Sequence, residues 1–355
     1  MYYITSDREK WTMKKQGARV VARRLYDVAD FMLHSGGKLS DKRTKAEKLR
    51  RRAARVGACA DELSCKVCPE CNIRYISRVN LCRDRLCPVC AWRRGKALTA
   101  RLRKIASYNI GARFLLLTLT VKNCEWSRLA DTLRGLLAAW GKLSRRAKFA
   151  RAVKGWARTM EITRGKDGKA HPHLHILLQV DPAYFDKSRG LWLDHDELVK
   201  LWRRCLGADY DPSVDIRAVP AGGVGKAILE VTKYLAKNTQ VEGLEDAEFL
   251  AYADAVAGVR AWAAGGAMRE ADEEIREEEL LHLEEEEREE RDTCPLCGRK
   301  LVDMVEKWDN ISGEYDVLPV WGSGIQIINN GVVNIYEKRQ APPTGARHAG
   351  PASGF

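Results

Sequence analysis

The chain has 355 residues, room for one large domain or two smaller ones, and 45% of them are apolar, ample for a packed core. Its formal charge is +13, but Glu270 to Asp292 carries 14 acids and three arginines, so the other 332 residues hold +24 against a local −11. No run of about 18 apolar residues occurs, and Met1-Tyr2-Tyr3-Ile4 contains no signal core, so a membrane-spanning helix is excluded and a cytoplasmic protein is expected.

A balance this basic favours a polyanionic partner, because each neutralised phosphate releases condensed counterions. Residues 1–58 read as a basic helical arm. Between Lys38 and Arg55 there are nine Lys or Arg and two acids at helix-compatible spacing, which makes Arg50, Arg51 and Arg52 candidates for contact with a DNA backbone. A solvated helix face is the competing explanation.

A cysteine-rich segment, 59–91, follows. It holds seven of the chain's 11 cysteines, and reduced thiols at this density point to metal rather than disulfides. Cys68-Pro69-Glu70-Cys71 and Cys87-Pro88-Val89-Cys90 lie 15 residues apart, matching a four-thiolate zinc ribbon. Four thiolates leave no position for water, so the expected role is structural. Cys65 can replace the first knuckle and Cys82 can complete a set. Residues 91–106 read as a basic helix, with Arg93 and Arg94 as further DNA-contact candidates.

The centre of the chain alternates strands and helices. Arg113 to Val121 reads as a buried strand, Leu129 to Ala152 as a helix, and Ala157 to Thr163 with His171 to Val180 as a hairpin closed by RGKDGK. Leu191 to Cys205 reads as a helix, Val214 to Val219 as a strand and Val224 to Asn238 as a helix. In HPHLHIL, alternation places His171, His173 and His175 on one face and Leu174 and Ile176 on the other. His173 and His175 therefore supply two convergent imidazoles for a divalent ion, and Glu161, in the partner strand, is the best-placed third ligand. Such a site keeps positions open for a substrate oxygen.

On the helix from Val224, residues Ala227, Ile228, Val231 and Leu235 form an apolar stripe. Glu230, Lys233, Tyr234 and Lys237 share an adjacent face, with Glu230 and Tyr234 at i and i+4. A metal-polarised phosphate lacks only a nucleophile, and the Tyr234 phenol fits that role. Lys233 or Lys237 can lower its pKa or neutralise the oxyanion. Glu230 can take a proton from water. Residues 244–292 read as a long helix ending in the acidic run, and 241–292 as a helical, acidic extension. Residues 293–337 read as a small β unit with the knuckle Cys294-Pro295-Leu296-Cys297 and an Asn330-Gly331 turn, and 338–355 as a disordered tail. No second cysteine pair for that last knuckle is evident.

CRDRLCPVCAWRR, FLLLTLTV, HPHLHIL and ExxxKYLAK, in this order over residues 59–240, resemble the rolling-circle plasmid replication initiators of the HUH endonuclease superfamily, single-tyrosine type. The resemblance implies an α+β fold: a five-stranded antiparallel sheet with flanking helices over 92–240, the histidine strand at its centre, preceded by a small zinc ribbon. It implies Mg or Mn on His173 and His175, structural Zn, and cleavage of one strand at the double-strand origin by Tyr234. It also implies DNA, as origin duplex and single strand, with host helicase and replication machinery as partners. A rolling-circle transposase and a non-catalytic zinc-ribbon DNA-binding regulator are the alternatives.

Overall fold

The basic N-terminal residues fold as two helices, α1 (Thr5–His34) and α2 (Leu39–Gly57), after a two-residue strand β1 (Tyr2–Tyr3). In α1 the stripe Ala18, Val21, Ala22, Leu25, Val28 and Ala29 is buried, and in α2 so are Ala46, Leu49, Ala53 and Val56. Both are therefore amphipathic packed helices with most of their lysines and arginines on the other face; Lys15 is the exception, buried with its Nζ donating to the carbonyls of Gly57 and Cys59. The computed structural model describes residues 2–3, 5–34, 39–108, 111–236, 243–274, 293–319, 325–328 and 331–334. These fall into two units, one of Met1–Met13, Ala60–Asn80 and Glu289–Phe355, the other of Lys14–Cys59 and Leu81–Arg288.

The first unit contains β2 (Glu62–Val67) and β3 (Arg74–Val79), and the second begins its mixed αβ run with α3 (Pro88–Tyr108) and β4 (Arg113–Thr120). There follow α4 (Leu129–Ser144), α5 (Ala147–Ala152), β5 (Val153–Arg164), β6 (Ala170–Val180), α6 (His195–Leu206), β7 (Val214–Ala218), α7 (Val224–Ala236), α8 (Asp246–Ala255) and β8 (Trp262–Gly266). Five of these strands make one antiparallel sheet in the order β7-β4-β6-β5-β8, with the histidine strand in the middle. This is the mixed α+β architecture with a five-stranded sheet that the sequence led us to expect.

The two faces of β6 divide as period two requires. Leu174, Ile176 and Leu178 are fully buried on one side, each burial contributing roughly 2 kcal/mol. There α4 covers the sheet, its Trp140 ring 5.1 Å edge-on from Trp156 of β5. On the other side Leu177, Ala157 and Phe114 pack with Leu98, Leu102 and Ile105 of α3 and with Ala227, Ile228 and Val231 of α7.

The expected helix from 244 to 292 is corrected. Among the described residues of this range, Asp246–Ala255 and residues 267–274 are helical, with other structure between them; residues 275–292 lie outside the described residues. Between the two helical pieces, Trp262–Gly266 is the fifth strand of the sheet. Its glycines are required by packing: a Cβ on Gly265 would meet the Trp156 ring at 2.5 Å, and Gly266 sits at φ +57°. The expected helix over 129–152 is likewise two, α4 and α5.

The first unit joins segments far apart in sequence. Strands β9 (Val302–Trp308) and β10 (Tyr315–Pro319) extend β2 and β3 into a second five-stranded sheet, order β1-β3-β2-β9-β10. Thus the expected separation into a 59–91 ribbon and a 293–337 unit does not hold: β2 pairs with β9, and residues 60–80 share one unit with the C-terminal strands. A buried Arg74–Glu306 ion pair at 2.6 Å ties β3 to β9. Strands β11 (Ile325–Ile328) and β12 (Gly331–Asn334) pair antiparallel, with Gly331 opposite Ile328; Asn330, of the expected Asn330-Gly331 turn, lies outside the described residues.

Candidate active site and metal centres

Strand pairing sets Glu161 of β5 directly across from His173 of β6, with Thr159 across from His175. The result is a three-residue cluster. One carboxylate oxygen, Glu161 Oε2, lies 2.9 Å from His173 Nε2 and 2.9 Å from His175 Nε2. All three side chains are nearly buried, with 7–12% of their side-chain surface exposed. Glu161 is thus the third ligand candidate that the hairpin reading anticipated.

The outer ring nitrogens are held as well. His173 Nδ1 lies 3.1 Å from the carbonyl of His171 and can donate to it, which leaves the Nε2 lone pair available to a metal. His175 Nδ1 lies 3.3 Å from Thr118 Oγ1. A lone pair on Nε2 facing a carboxylate at 2.9 Å is repulsive unless a cation or a proton lies between them. The two carboxylate–imidazole separations fit a hard divalent ion, since bonds of 2.0–2.1 Å at right angles put neighbouring donors about 2.9 Å apart, and all three ligand atoms lie within 4.8 Å of one another.

The electrostatics agree. With no metal bound, burial alone would raise the Glu161 carboxyl, but hydrogen bonds from both histidines outweigh it and hold it at about 2. Burial pulls His175 below its usual value, against the Glu161 hydrogen bond, and burial with the neighbouring His173 does the same to His171. Neutral rings are what a metal needs.

His171 shares the face but not the cluster: its Nδ1 donates to Asn123 Oδ1 at 2.6 Å. Beside it opens a cleft of about 480 Å³ lined by Lys122, Asn123, Lys169, His171 and Tyr210 among others. Sequence reading missed Asn123 and Tyr210, whose roles depend on loops brought to the strand end. It also missed Thr159 and Thr118, for which the β-register was the available signal.

Helix α7 lies on the face that carries the cluster. Thr159 Oγ1 donates to the Val231 carbonyl at 2.8 Å, and Thr232 Oγ1 meets Thr99 Oγ1 of α3 at 2.8 Å. The negative charge of Glu230 is close enough to raise the affinity of His175 for a proton. Lys233 Nζ donates to Glu230 Oε1 at 2.7 Å. The backbone of Tyr234 is in the last turn of α7, one turn beyond Glu230. Its side chain, and all of Lys237, lie outside the described residues.

The thiols required a correction. Cys68, Cys71, Cys87 and Cys90 do not form one set. Cys59, Cys82, Cys87 and Cys90 form one quartet, and Cys68, Cys71, Cys294 and Cys297 a second, with all Sγ atoms of each within 4.8 Å of one another. The two CPxC motifs look alike in sequence, but Cys87-Pro88 starts α3, where proline suits the first helical position. Cys68-Pro69 instead follows β2. Cys65 joins neither quartet; it is buried, and burial pushes its thiol up to about 12. Cys82, the alternate, belongs to the first quartet, where the Sγ of Cys90 lies 3.6 Å from that of Cys59 and 3.7 Å from that of Cys82. Tetrahedral zinc with bonds of 2.3 Å sets such edges at about 3.8 Å.

The arginines divide too. Arg52 is committed to Asp84 through two bonds of 2.7 and 2.9 Å. Arg94 donates to the carbonyls of Arg83, Asp84 and Arg85. Both brace the loop that carries Cys82. Arg50 and Arg51 form exposed pairs with Asp30 and Glu47, and Arg93 is half-buried on α3.

The family model described as Replication protein (Rep_1) matches residues 73–315. The chain is 29% identical over 351 residues to "Protein rep" of Bacillus amyloliquefaciens, covering 91% of this chain and 94% of that one. It is 34% identical over 195 residues to "Protein rep" of Streptococcus pneumoniae serotype 2, covering 53% of this chain and 61% of the relative. To "Protein rep" of Lentilactobacillus hilgardii it is 31% identical over 276 residues, covering 73% and 85%. No solved structure matches.

Proposed function

The chain belongs to the Rep_1 family of replication proteins, and from that premise we propose that it initiates rolling-circle plasmid replication by nicking one DNA strand with Tyr234. The observation that carries this reading is the convergence of Glu161, His173 and His175, with Glu161 Oε2 2.9 Å from each imidazole Nε2, on the sheet face where α7 is anchored. It fits the HUH endonuclease arrangement of paired histidines on a central strand.

Glu161, His173 and His175 would hold Mg or Mn, which when bound draws electron density from the scissile phosphate as a Lewis acid. The Tyr234 oxygen attacks phosphorus in line. The P–O3′ bond breaks, the phenol gives up its proton and the 3′ oxygen gains one, and the 5′ phosphate remains esterified to Tyr234. The freed 3′-OH primes synthesis.

Thr159 and Thr99 fix the pitch and rotation of α7, which limits the paths open to a phenol one turn beyond Glu230. Lys237 and Lys233 neutralise charge on the oxyanion, and Glu230 takes the proton of the water that later hydrolyses the adduct. That assignment suits a single-tyrosine initiator, because a carboxylate rather than a second phenol stands four residues before Tyr234. Cys59, Cys82, Cys87 and Cys90 would hold structural Zn, which would fix the start of α3, a helix that packs on α7. Such thiolates persist in a reducing cytoplasm. No described helix is long and apolar enough to cross a membrane.

The basic helix α2, with Arg50 and Arg51, and Arg93 on α3 supply phosphate contacts. Helicase and polymerase would act on the strand once it is opened. The reading is tested with a supercoiled plasmid carrying the origin, Mn, and the Tyr234→Phe variant. Retained origin binding with lost nicking supports it, and nicking at the wild-type rate removes Tyr234 from the reaction.

A further inference from the structure

The second cysteine quartet is assembled by the return of the chain's last strands. We propose that it is a separate zinc site, so that the protein carries two structural zinc ions. The second ion, on Cys68, Cys71, Cys294 and Cys297, closes the C-terminal strands onto the β2–β3 hairpin.

Three observations carry this. First, the thiols converge: Cys68 Sγ and Cys297 Sγ are 3.4 Å apart, far beyond the roughly 2.05 Å of a disulfide, and all four sulfurs lie within 4.8 Å. Second, the two knuckles are built alike although they are more than 220 residues apart. Cys68 N donates to the Ile73 carbonyl at 2.9 Å, and Cys294 N donates to the Arg299 carbonyl at 2.7 Å. Asn72 N returns to the Cys68 carbonyl at 2.9 Å, and Gly298 N to the Cys294 carbonyl at 2.8 Å. The residue after each second cysteine is left-handed, Asn72 at φ +54° and Gly298 at φ +70°. Such a turn aims two sulfurs and nearby backbone N–H groups at one point, as when Cys71 N donates to Cys68 Sγ at 3.3 Å. Third, sheet register brings the knuckles together, since Val67, just before Cys68, pairs with Val302 at the start of β9.

The four sulfurs suit a soft, borderline cation such as zinc and not Mg or Mn. Binding forms four Zn–S bonds and releases to water whatever protons the thiols held, with no change of oxidation state. The site is also the more open of the two. Cys297 is exposed and Cys71 half-buried, whereas three of the four ligands of the first quartet are buried. The second ion should therefore leave first.

The test counts zinc per full-length chain in the His173→Ala/His175→Ala background, which keeps the histidine site from adding metal and makes the count independent of nicking. Two zinc are expected, falling to one in the Cys294→Ser/Cys297→Ser variant, with residues 60–80 and 293–319 becoming sensitive to protease. One zinc in the parent, or two in the variant, overturns the proposal. If the variant precipitates, the parent is titrated with a chelator and alkylated: Cys71 and Cys297 should react in a first phase that releases one zinc. Release of all zinc in a single phase, with the thiols of both quartets reacting together, would contradict it.

Discussion

Replacing Glu161 by Gln preserves the shape of the cluster and removes its only negative charge. In the wild type one Glu161 oxygen lies 2.9 Å from both imidazoles, and the side chain is almost wholly buried, so no water can take its place without repacking. At a free Mn concentration of 100 times the dissociation constant, binding stabilises the folded chain by about 2.7 kcal/mol. Changes in groups that merely orient a ligand cost about 10- to 100-fold in metal affinity, so loss of the ligand itself should cost at least about tenfold. The variant at the same Mn concentration then gains at most about 1.4 kcal/mol. The assay is urea unfolding with and without Mn, followed by a probe in the 81–274 segment, with Mn titration by calorimetry in parallel. An equal Mn-dependent gain in wild type and Glu161→Gln would show that this carboxylate is no ligand, and the cluster would have to be reinterpreted.

The same residue should give a pH signature without divalent metal. Its folded pKa, about 2, is below its ordinary value, so its contribution is complete above the unfolded pKa and disappears as pH falls through about 2. The wild type should thus lose stability over pH 5 to 2 more steeply than Glu161→Gln, measured by urea midpoints; parallel curves would argue against the paired carboxylate. Arg52→Ala strands a buried Asp84 and should cost about 3 kcal/mol in thermal unfolding. Arg50→Ala, which loses only an exposed pair, should change stability by less than about 0.5 kcal/mol yet lower the salt slope of origin binding by about 1. An unchanged salt slope would remove Arg50 from the DNA face. Gly265→Ala drives a methyl into the Trp156 ring and should destabilise by about 1–3 kcal/mol, and a neutral result would mean that β8 does not pack against that ring.

Much of the centre of the protein was legible because its signals are local. The hairpin of β5 and β6 follows from alternation on either side of RGKDGK, and alternation also selects His173, His175 and Glu161 for one face. Strand β8 was not legible, because Trp-Ala-Ala-Gly-Gly has little β preference and becomes a strand only where Trp156 admits nothing larger than glycine. The sorting of the thiols was illegible for a different reason. Cys59 and Cys82 have no knuckle spacing, and Cys294 and Cys297 find their partners only through sheet pairing between β2 and β9. One local clue existed: Cys68-Pro-Glu-Cys-Asn and Cys294-Pro-Leu-Cys-Gly each end on a residue type that tolerates the left-handed conformation, whereas Cys87-Pro-Val-Cys-Ala does not. The arginines show the same limit, since spacing cannot reveal that Arg52 faces Asp84 while Arg50 faces solvent.

The most direct measurement is a search for the covalent product. The protein is incubated with Mn and a single-stranded oligonucleotide spanning its origin, digested, and analysed by mass spectrometry. A peptide bearing a 5′-phosphonucleotide on Tyr234, absent from the His173→Ala/His175→Ala variant, is the predicted result. Cleaved DNA with the adduct on another residue, or with none on the protein at all, would contradict the phenol as nucleophile.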